Sequence, residues 1–237
     1  MDILSRKLLL DMPNAGLKCN STYGQIATLK TVPASFSLCV TIRMTQEERD
    51  KIGDARTFLG MPNGYSWLAL IENKNIGPFW YLKNDGVMSW ARAVYYRGQY
   101  LSTLTDGSTH KLVCSLNTTE KRLKCYIDGV LAESSSLSNE TLVDFQTTNV
   151  FRLGTGYNAQ YRLEAGTYSN VKYFSFDISA TGAAYTLDDY QNNRDIPDGT
   201  SGVILNLHNK LSGSTWQDES GNGYDMALQG DFEIVDI

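Results

Sequence analysis

The stretch from Asp106 to Glu133, DGSTHKLVCSLNTTEKRLKCYIDGVLAE, leaves little choice but a β-hairpin. His110, Leu112, Cys114 and Leu116 alternate with Lys111, Val113, Ser115 and Asn117. After Thr118-Thr119-Glu120-Lys121 the alternation resumes, with Leu123, Cys125 and Ile127 on one face and Arg122, Lys124 and Tyr126 on the other. A loop of these four residues pairs Leu116 with Leu123, Cys114 with Cys125 and Leu112 with Ile127. Turn length and apolar pattern therefore demand the same register, and any slip by a single residue would turn the apolar set to the wrong face. Asp128-Gly129 predicts a second tight turn, since glycine takes the positive φ such turns need. The strand then resumes at Val130-Leu131.

The same period of two recurs along the chain. Phe36, Leu38, Val40, Ile42 and Met44 share a face, opposite Ser37, Cys39, Thr41 and Arg43, which predicts a half-buried strand. Further strands are expected from Phe58, from Tyr65 to Ile71, from Asn149 and from Val203 to Leu207. Gln46 to Asp54 reads as a charged loop or one helical turn. Residues 132–148, rich in Ser, Asn and Thr, read as a long loop. Thr186 as N-cap, with Asp188 and Asp189 in the first turn, predicts one short helix near residues 186–194. With 20 Gly and only 5 Pro, the composition suits many strands joined by Gly and Asn turns. A chain of 237 residues is long enough for one full core. Two parts are expected: residues 1–16 as an N-terminal arm or edge strand, and 17–237 as a single domain.

The order of these pieces carries a resemblance. An Asp-Gly, a His, an alternating strand, a polar turn and a strand ending Tyr126-Ile127-Asp128-Gly129-Val130-Leu131 resemble the laminin-G-like and pentraxin-type members of the concanavalin A-like jelly rolls. Pro33 to Met44, Asn149 to Tyr157 and Gly166 to Ile178 are similar to other strands of that family, and Thr186 to Tyr190 to its short helix. The resemblance covers roughly residues 20–190. It implies an all-β fold, a two-sheet antiparallel jelly-roll sandwich, and a function carried by rim loops and the concave face.

Charge and motifs exclude several classes. A net charge of −5 argues against a nucleic-acid binder. No run reaches the roughly 18 apolar residues of a membrane span, and the Leu8-Leu9-Leu10 run is too short for a secretory signal. Production in a cytosol is therefore expected, unless the sequence is a mature form. The Asn-x-Thr sequons at Asn20, Asn117 and Asn139 then read as chance matches. Four cysteines have no zinc-ligand spacing. Cys114 and Cys125 face each other in the hairpin, either as a disulfide or, the reading favoured here, as small buried apolar groups. Catalytic motifs are missing as well. Glu48-Arg49-Asp50 is the lone Glu-x-Asp, and Gly53 stands where the hydrolases of this fold carry a third acid. His110 matches the family's strand-starting His. No catalytic residue is assigned, although two carboxylates from distant loops remain a third, enzymatic alternative.

Two binding candidates emerge. Residues 78–101 are densely aromatic, with a hairpin turn at Asn84-Asp85-Gly86. Trp80, Tyr81, Trp90, Tyr95 and Tyr96 are candidates for stacking on a sugar ring, or fill the core between sheets. Asp218, Ser220, Asn222 and Asp225 have the oxygen spacing of the first half of a calcium loop. Without an acid at position 229 they also fit a turn closed by Asp and Asn hydrogen bonds. Calcium is the one cofactor weighed, and none is required. The surrounding Trp216-x-Asp218-x-Ser220-Gly221-Asn222-Gly223 resembles a motif of bacterial and phage laminin-G-like modules, where it precedes the jelly-roll strands rather than following them. It marks a truncated next module, a swapped strand or a strand returning to the sheet, and apolar Met226 to Leu228 and Phe232 to Val235 favour the return. The resemblance implies a non-enzymatic surface-recognition protein. The expected setting is a phage virion (capsid decoration, head fibre or tail protein), with a cell-surface glycan, a homo-oligomer or other virion proteins as partners. The alternative is a bacterial carbohydrate-binding module, extracellular or on the cell surface.

Overall fold

The computed structural model describes residues 14–25, 35–52, 67–72, 75–81, 101–136, 152–153 and 164–237. In chain order the strands are β1 (Ala15–Gln25), β2 (Phe36–Thr45), β3 (Trp67–Glu72), β4 (Asn75–Tyr81), β5 (Asp106–Asn117), β6 (Arg122–Ile127) and β7 (Val130–Ser136). Then come β8 (Arg152–Leu153), β9 (Thr167–Phe174), β10 (Val203–Leu207), β11 (Leu211–Ser212), β12 (Thr215–Trp216) and β13 (Met226–Asp236). The helices are short: α1 (Gln46–Lys51), α2 (Leu101–Leu104) and α3 (Leu187–Gln191). The molecule is an all-β antiparallel sandwich of jelly-roll type, as its alternating strands require.

The expected register of β5 and β6 is the observed one: Leu116 opposite Leu123, Cys114 opposite Cys125, Leu112 opposite Ile127. Cys114 and Cys125 are both buried and are not joined in a disulfide. Asp128 (φ 50°) and Gly129 (φ 78°) both lie in the left-handed region, the geometry of a two-residue hairpin turn whose twist matches its strands. Strand β7 then runs to Ser136, so residues 132–136, expected in a loop, are strand. Pairing with β6 overrides the weak β preference of consecutive serines.

The sheet is ordered β11-β12-β13-β1-β9-β2-β5-β6-β7, with β10 also on β9 and β8 also on β1. Strand β13 is the returning strand, paired with β1 from Ala15–Asp236 to Gln25–Ala227. The small β11–β12 hairpin had no sequence signal beyond Gly213, whose φ of 59° makes its turn. Strands β3 and β4 form a separate ladder. Phe58 and residues 1–13, including most of the expected arm, lie outside the described residues.

Strand β9 is central and buried along its whole length. Its inward residues Tyr168, Val171 and Tyr173 join Phe36, Leu38, Val40, Ile42, Leu112 and Trp216 in the main core. Its outward residues meet two different environments. Near Phe174 a second core, with Cys39, Val113, Ile178, Tyr185 and Tyr190, covers the outer face under α3. Thr186 caps that helix as expected, accepting from the Asp189 backbone while Asp189 returns to the Thr186 backbone, a capping box worth about 1 kcal/mol. Asn170, at φ 48°, marks the irregularity where β9 slips against β2. C-terminal to it β9 pairs with β10, and N-terminal to it with β1.

Candidate functional site

Beyond that irregularity the second core does not continue, and the outer face carries a polar row, with β9 itself still buried. Thr109, Arg43, Thr167, Lys18 and Glu233 form one cross-strand row over β5, β2, β9, β1 and β13. Above the row α1 leaves the end of β2. It is held by a capping box in which Thr45 accepts from the Glu48 backbone and Glu48 Oε2 accepts from the Thr45 backbone N–H at 2.8 Å. Its last turn closes with Ile52 fully buried. Between helix and row lies a groove of about 450 Å³. The strands contribute Lys18, Arg43, Thr167 and Val235, the helix contributes Glu47, Glu48 and Lys51, and Thr45 and Gly107 complete the lining.

The groove charges differ in how far they are neutralised. Lys51 pairs with Glu47 at 2.9 Å, and Lys18 with Glu233 at 3.4 Å. Glu48 is committed to the cap. Arg43 has no carboxylate within ion-pair distance among the described residues, and one of its nitrogens donates to the Asp236 carbonyl at a long 3.4 Å. A guanidinium has five N–H donors in a planar fork, so most of its capacity is unspent.

At the same rim His110 ends the core-facing row of β5. Its Nδ1 lies 2.7 Å from Asp128 Oδ2 and its Nε2 3.1 Å from Asp106 Oδ1. A carboxylate at each nitrogen favours the doubly protonated ring, which can donate to both. Burial acts to lower its pKa, but the hydrogen bonds and charges of Asp128 and Asp106 outweigh it, and the value sits above the ordinary 6.5. Asp106 is held below its ordinary value by the Ser108 backbone N–H first, then by His110. In that doubly protonated form the ring has no lone pair free to take a proton from a substrate. The two Asp-Gly turns flanking an inward His were the sequence signal for this cluster. Read separately, they passed as turn residues.

Behind the second core lies Lys172, 2% exposed, on the outer face of β9 opposite Cys39. Its Nζ donates to Asn206 Oδ1 at 3.0 Å and stands 6.0 Å from the Tyr185 ring. Burial pushes its pKa down to about 8. Nearby His208 is pushed down to about 4, by burial first and then by the Lys172 charge, and is neutral at pH 7.

The structure brings Asp218, Ser220, Asn222 and Asp225 together in one turn. Asp218 Oδ1 accepts from the Asn206 and Ser220 backbones, and Oδ2 from the Ser220 hydroxyl and the Tyr224 backbone. Asp225 accepts from the Asp218 N–H at 2.8 Å. Asn222 Nδ2 donates to the carbonyls of Val203 and Ile204, and Trp216 Nε1 to that of His208. These bonds clasp the segment to β10, and a cation at Asp218 would have to displace donors already in place. Among the described residues no group of three or more His, Cys, Asp or Glu is placed to hold a metal ion. Trp80 and Tyr81 end β4, their backbones opposite Leu68 and Trp67. Trp90, Tyr95 and Tyr96 lie outside the described residues. The groove row was not legible, because its members come from strands far apart in sequence. Arg43 showed only as a polar-side residue.

No protein-family model and no curated protein matches this chain. Solved structures do. A candidate carbohydrate binding protein from Bacteroides ovatus superposes with a TM-score of 0.60 at 15% identity, over 95% of this chain and 60% of that one. The receptor binding domain of botulinum neurotoxin D gives 0.54 at 13% identity, over 76% of this chain and 43% of that one. The chain thus spans less than two thirds of either. A native heptameric SAP-like pentraxin from Limulus polyphemus gives 0.51 at 8% identity, over 94% and 95% of the two chains. These likenesses establish a jelly-roll sandwich fold.

Proposed function

We propose that this chain is a non-catalytic glycan-recognition module acting at a surface outside the cell, in the manner of a bacterial carbohydrate-binding module. The fold likeness to the Bacteroides protein over 95% of the chain carries this reading. The chemistry at the rim supports its non-catalytic half. His110 has both ring nitrogens within hydrogen-bond distance of a carboxylate, Asp128 and Asp106. The carboxylate pair of Glu48 and Asp50 is turned to local work, Glu48 in the α1 cap and Asp50 with Gln46 and Arg49. Neither arrangement supplies an acid and a base across a cleft.

A broad glycan array and whole-cell binding test the proposal together. Binding in either supports it, and blanks in both sink it. Release of reducing sugar from mixed polysaccharides would overturn the non-catalytic half. A second reading sets the module on a phage particle and is favoured by the Trp216 to Gly223 segment, which resembles that of phage modules. Mass in solution decides it: a trimer or larger assembly supports a virion component, and a monomer removes that support.

A further inference from the structure

We infer that the groove beside α1 is the ligand site of this module and that it takes an acidic glycan, with a sugar carboxylate or sulfate seated on Arg43. This inference rests on the glycan-recognition reading and adds to it a place and a ligand class.

Three observations converge. The first is shape. At about 450 Å³ the groove falls within the roughly 300–1,000 Å³ of small-molecule clefts. Its base is laid by paired strands, which hold Arg43, Thr167 and Lys18 at fixed cross-strand spacing.

The second is chemistry. Among the described residues of the lining, Val235 is the single apolar side chain and none is aromatic. A neutral sugar is usually gripped by stacking its apolar face on a ring. This groove offers hydrogen bonds and charge instead, and so selects a ligand rich in both.

The third is the state of the charges. Among the described lining residues the other charged groups are already engaged: Lys51 with Glu47, Lys18 with Glu233, Glu48 with the helix cap. Arg43 alone keeps an open fork among the described residues, its one hydrogen bond being the long contact to the Asp236 carbonyl. A planar guanidinium matches a carboxylate or sulfate with two parallel N–H···O bonds, geometry that an ammonium cannot reproduce. The engaged carboxylates Glu47 and Glu48 stay within reach of sugar hydroxyls as acceptors.

The test is an array carrying neutral, uronate, sialylated and sulfated glycans, followed by calorimetry on the hits with the full chain. Acidic glycans are expected to bind, and binding is expected to fall as salt rises. Carboxylate hits without sulfate hits assign the anion to an acid sugar, and the reverse assigns it to a sulfate ester. Methyl esterification of a carboxylate hit should weaken it. Arg43→Gln should weaken binding roughly 10–100-fold, the worth of hydrogen bonds to a charged group. Arg43→Lys should fall between, and Glu47→Gln should strengthen binding by removing a like charge. An unchanged melting temperature shows that each variant still folds. Equal binding of acid and ester, or wild-type affinity in a folded Arg43→Gln, overturns the inference. Neutral glycans bound indifferently to Arg43 would leave the glycan reading standing and the groove assignment refuted. Blank arrays would remove both.

Discussion

The outer face of β9 behaves as two surfaces. On the Phe174 side of Asn170 it is roofed by the segment carrying α3, and even a lysine is sealed beneath. On the Thr167 side the strand is buried as well, but a charged groove lined by Thr167 and its neighbours lies over it. Both ends share the strand and its neighbour β2, and they differ in what crosses above. The roofed end spends its side chains on stability, with Phe174 stacked on Tyr185 at 5.2 Å and Tyr190 donating its hydroxyl to the Asn170 carbonyl at 3.1 Å. The groove end keeps an arginine fork unspent. One sheet face can thus serve as core and as recognition surface when an irregularity in one strand changes its partner between them.

Removing a pillar of the roof should have the largest effect. Tyr190→Ala deletes a fully buried ring and is expected to lower stability by about 3–5 kcal/mol in urea unfolding. A loss below about 1 kcal/mol would mean that the outer face does not depend on its roof.

The buried lysine comes next. Its folded pKa of about 8 lies below the ordinary 10.5, so between those values the unfolded chain holds the proton more tightly. Stability should climb as pH rises through that window, and burying the charge costs roughly 3 kcal/mol at neutral pH. Lys172→Met should abolish the alkaline climb. It should also raise neutral stability by roughly 1 kcal/mol, once the unpaired Asn206 carbonyl is counted against the gain. A destabilised variant would assign Lys172 a net favourable role.

The two histidines should act with opposite sign, one at each end. His208 is depressed to about 4, so its contribution is present above pH 6.5 and is lost as pH falls from 6.5 toward 4. His110 is raised above 6.5, so its contribution is full below 6.5 and is lost as pH rises through the raised value. Melting temperature against pH should therefore flatten on the acid side in His208→Gln and on the neutral side in His110→Gln. Flattening on the same side in both would break the contrast.

The smallest effect belongs to the groove. Arg43→Gln should change stability by no more than about 0.5 kcal/mol in the same urea assay, as at other exposed sites without buried partners. A larger loss would give Arg43 a structural duty and weaken its assignment to recognition.

Legibility in the sequence followed the range of the interactions. The β5–β6 register was readable because turn length and alternation are both local and agree. The α3 cap was readable from Thr186 and the acids after it. The extension of β7 over three serines was not, because a neighbouring strand supplies what propensity lacks. Nor was the burial of Ser37, Cys39 and Thr41 on the polar side of β2, since their roof arrives from residues 175–200. The groove was hidden for the same reason in stronger form: Lys18, Arg43, Thr167 and Glu233 meet only after four strands have paired. The C-terminal motif was recognised, and its odd-position oxygens were weighed for calcium. What they hold in the structure is backbone N–H groups and a hydroxyl of their own turn and of β10.

The pairing of β1 with β13 also bears on how the chain is made. Ala15 stands opposite Asp236, so β1 meets its longest partner only once β13 has been synthesised. Until then β1 presents an unpaired edge, and the contact that closes it is among the slowest kind to form. Any sequence joined to the two strand ends would enter and leave at neighbouring points, as though the module hung from a single stalk.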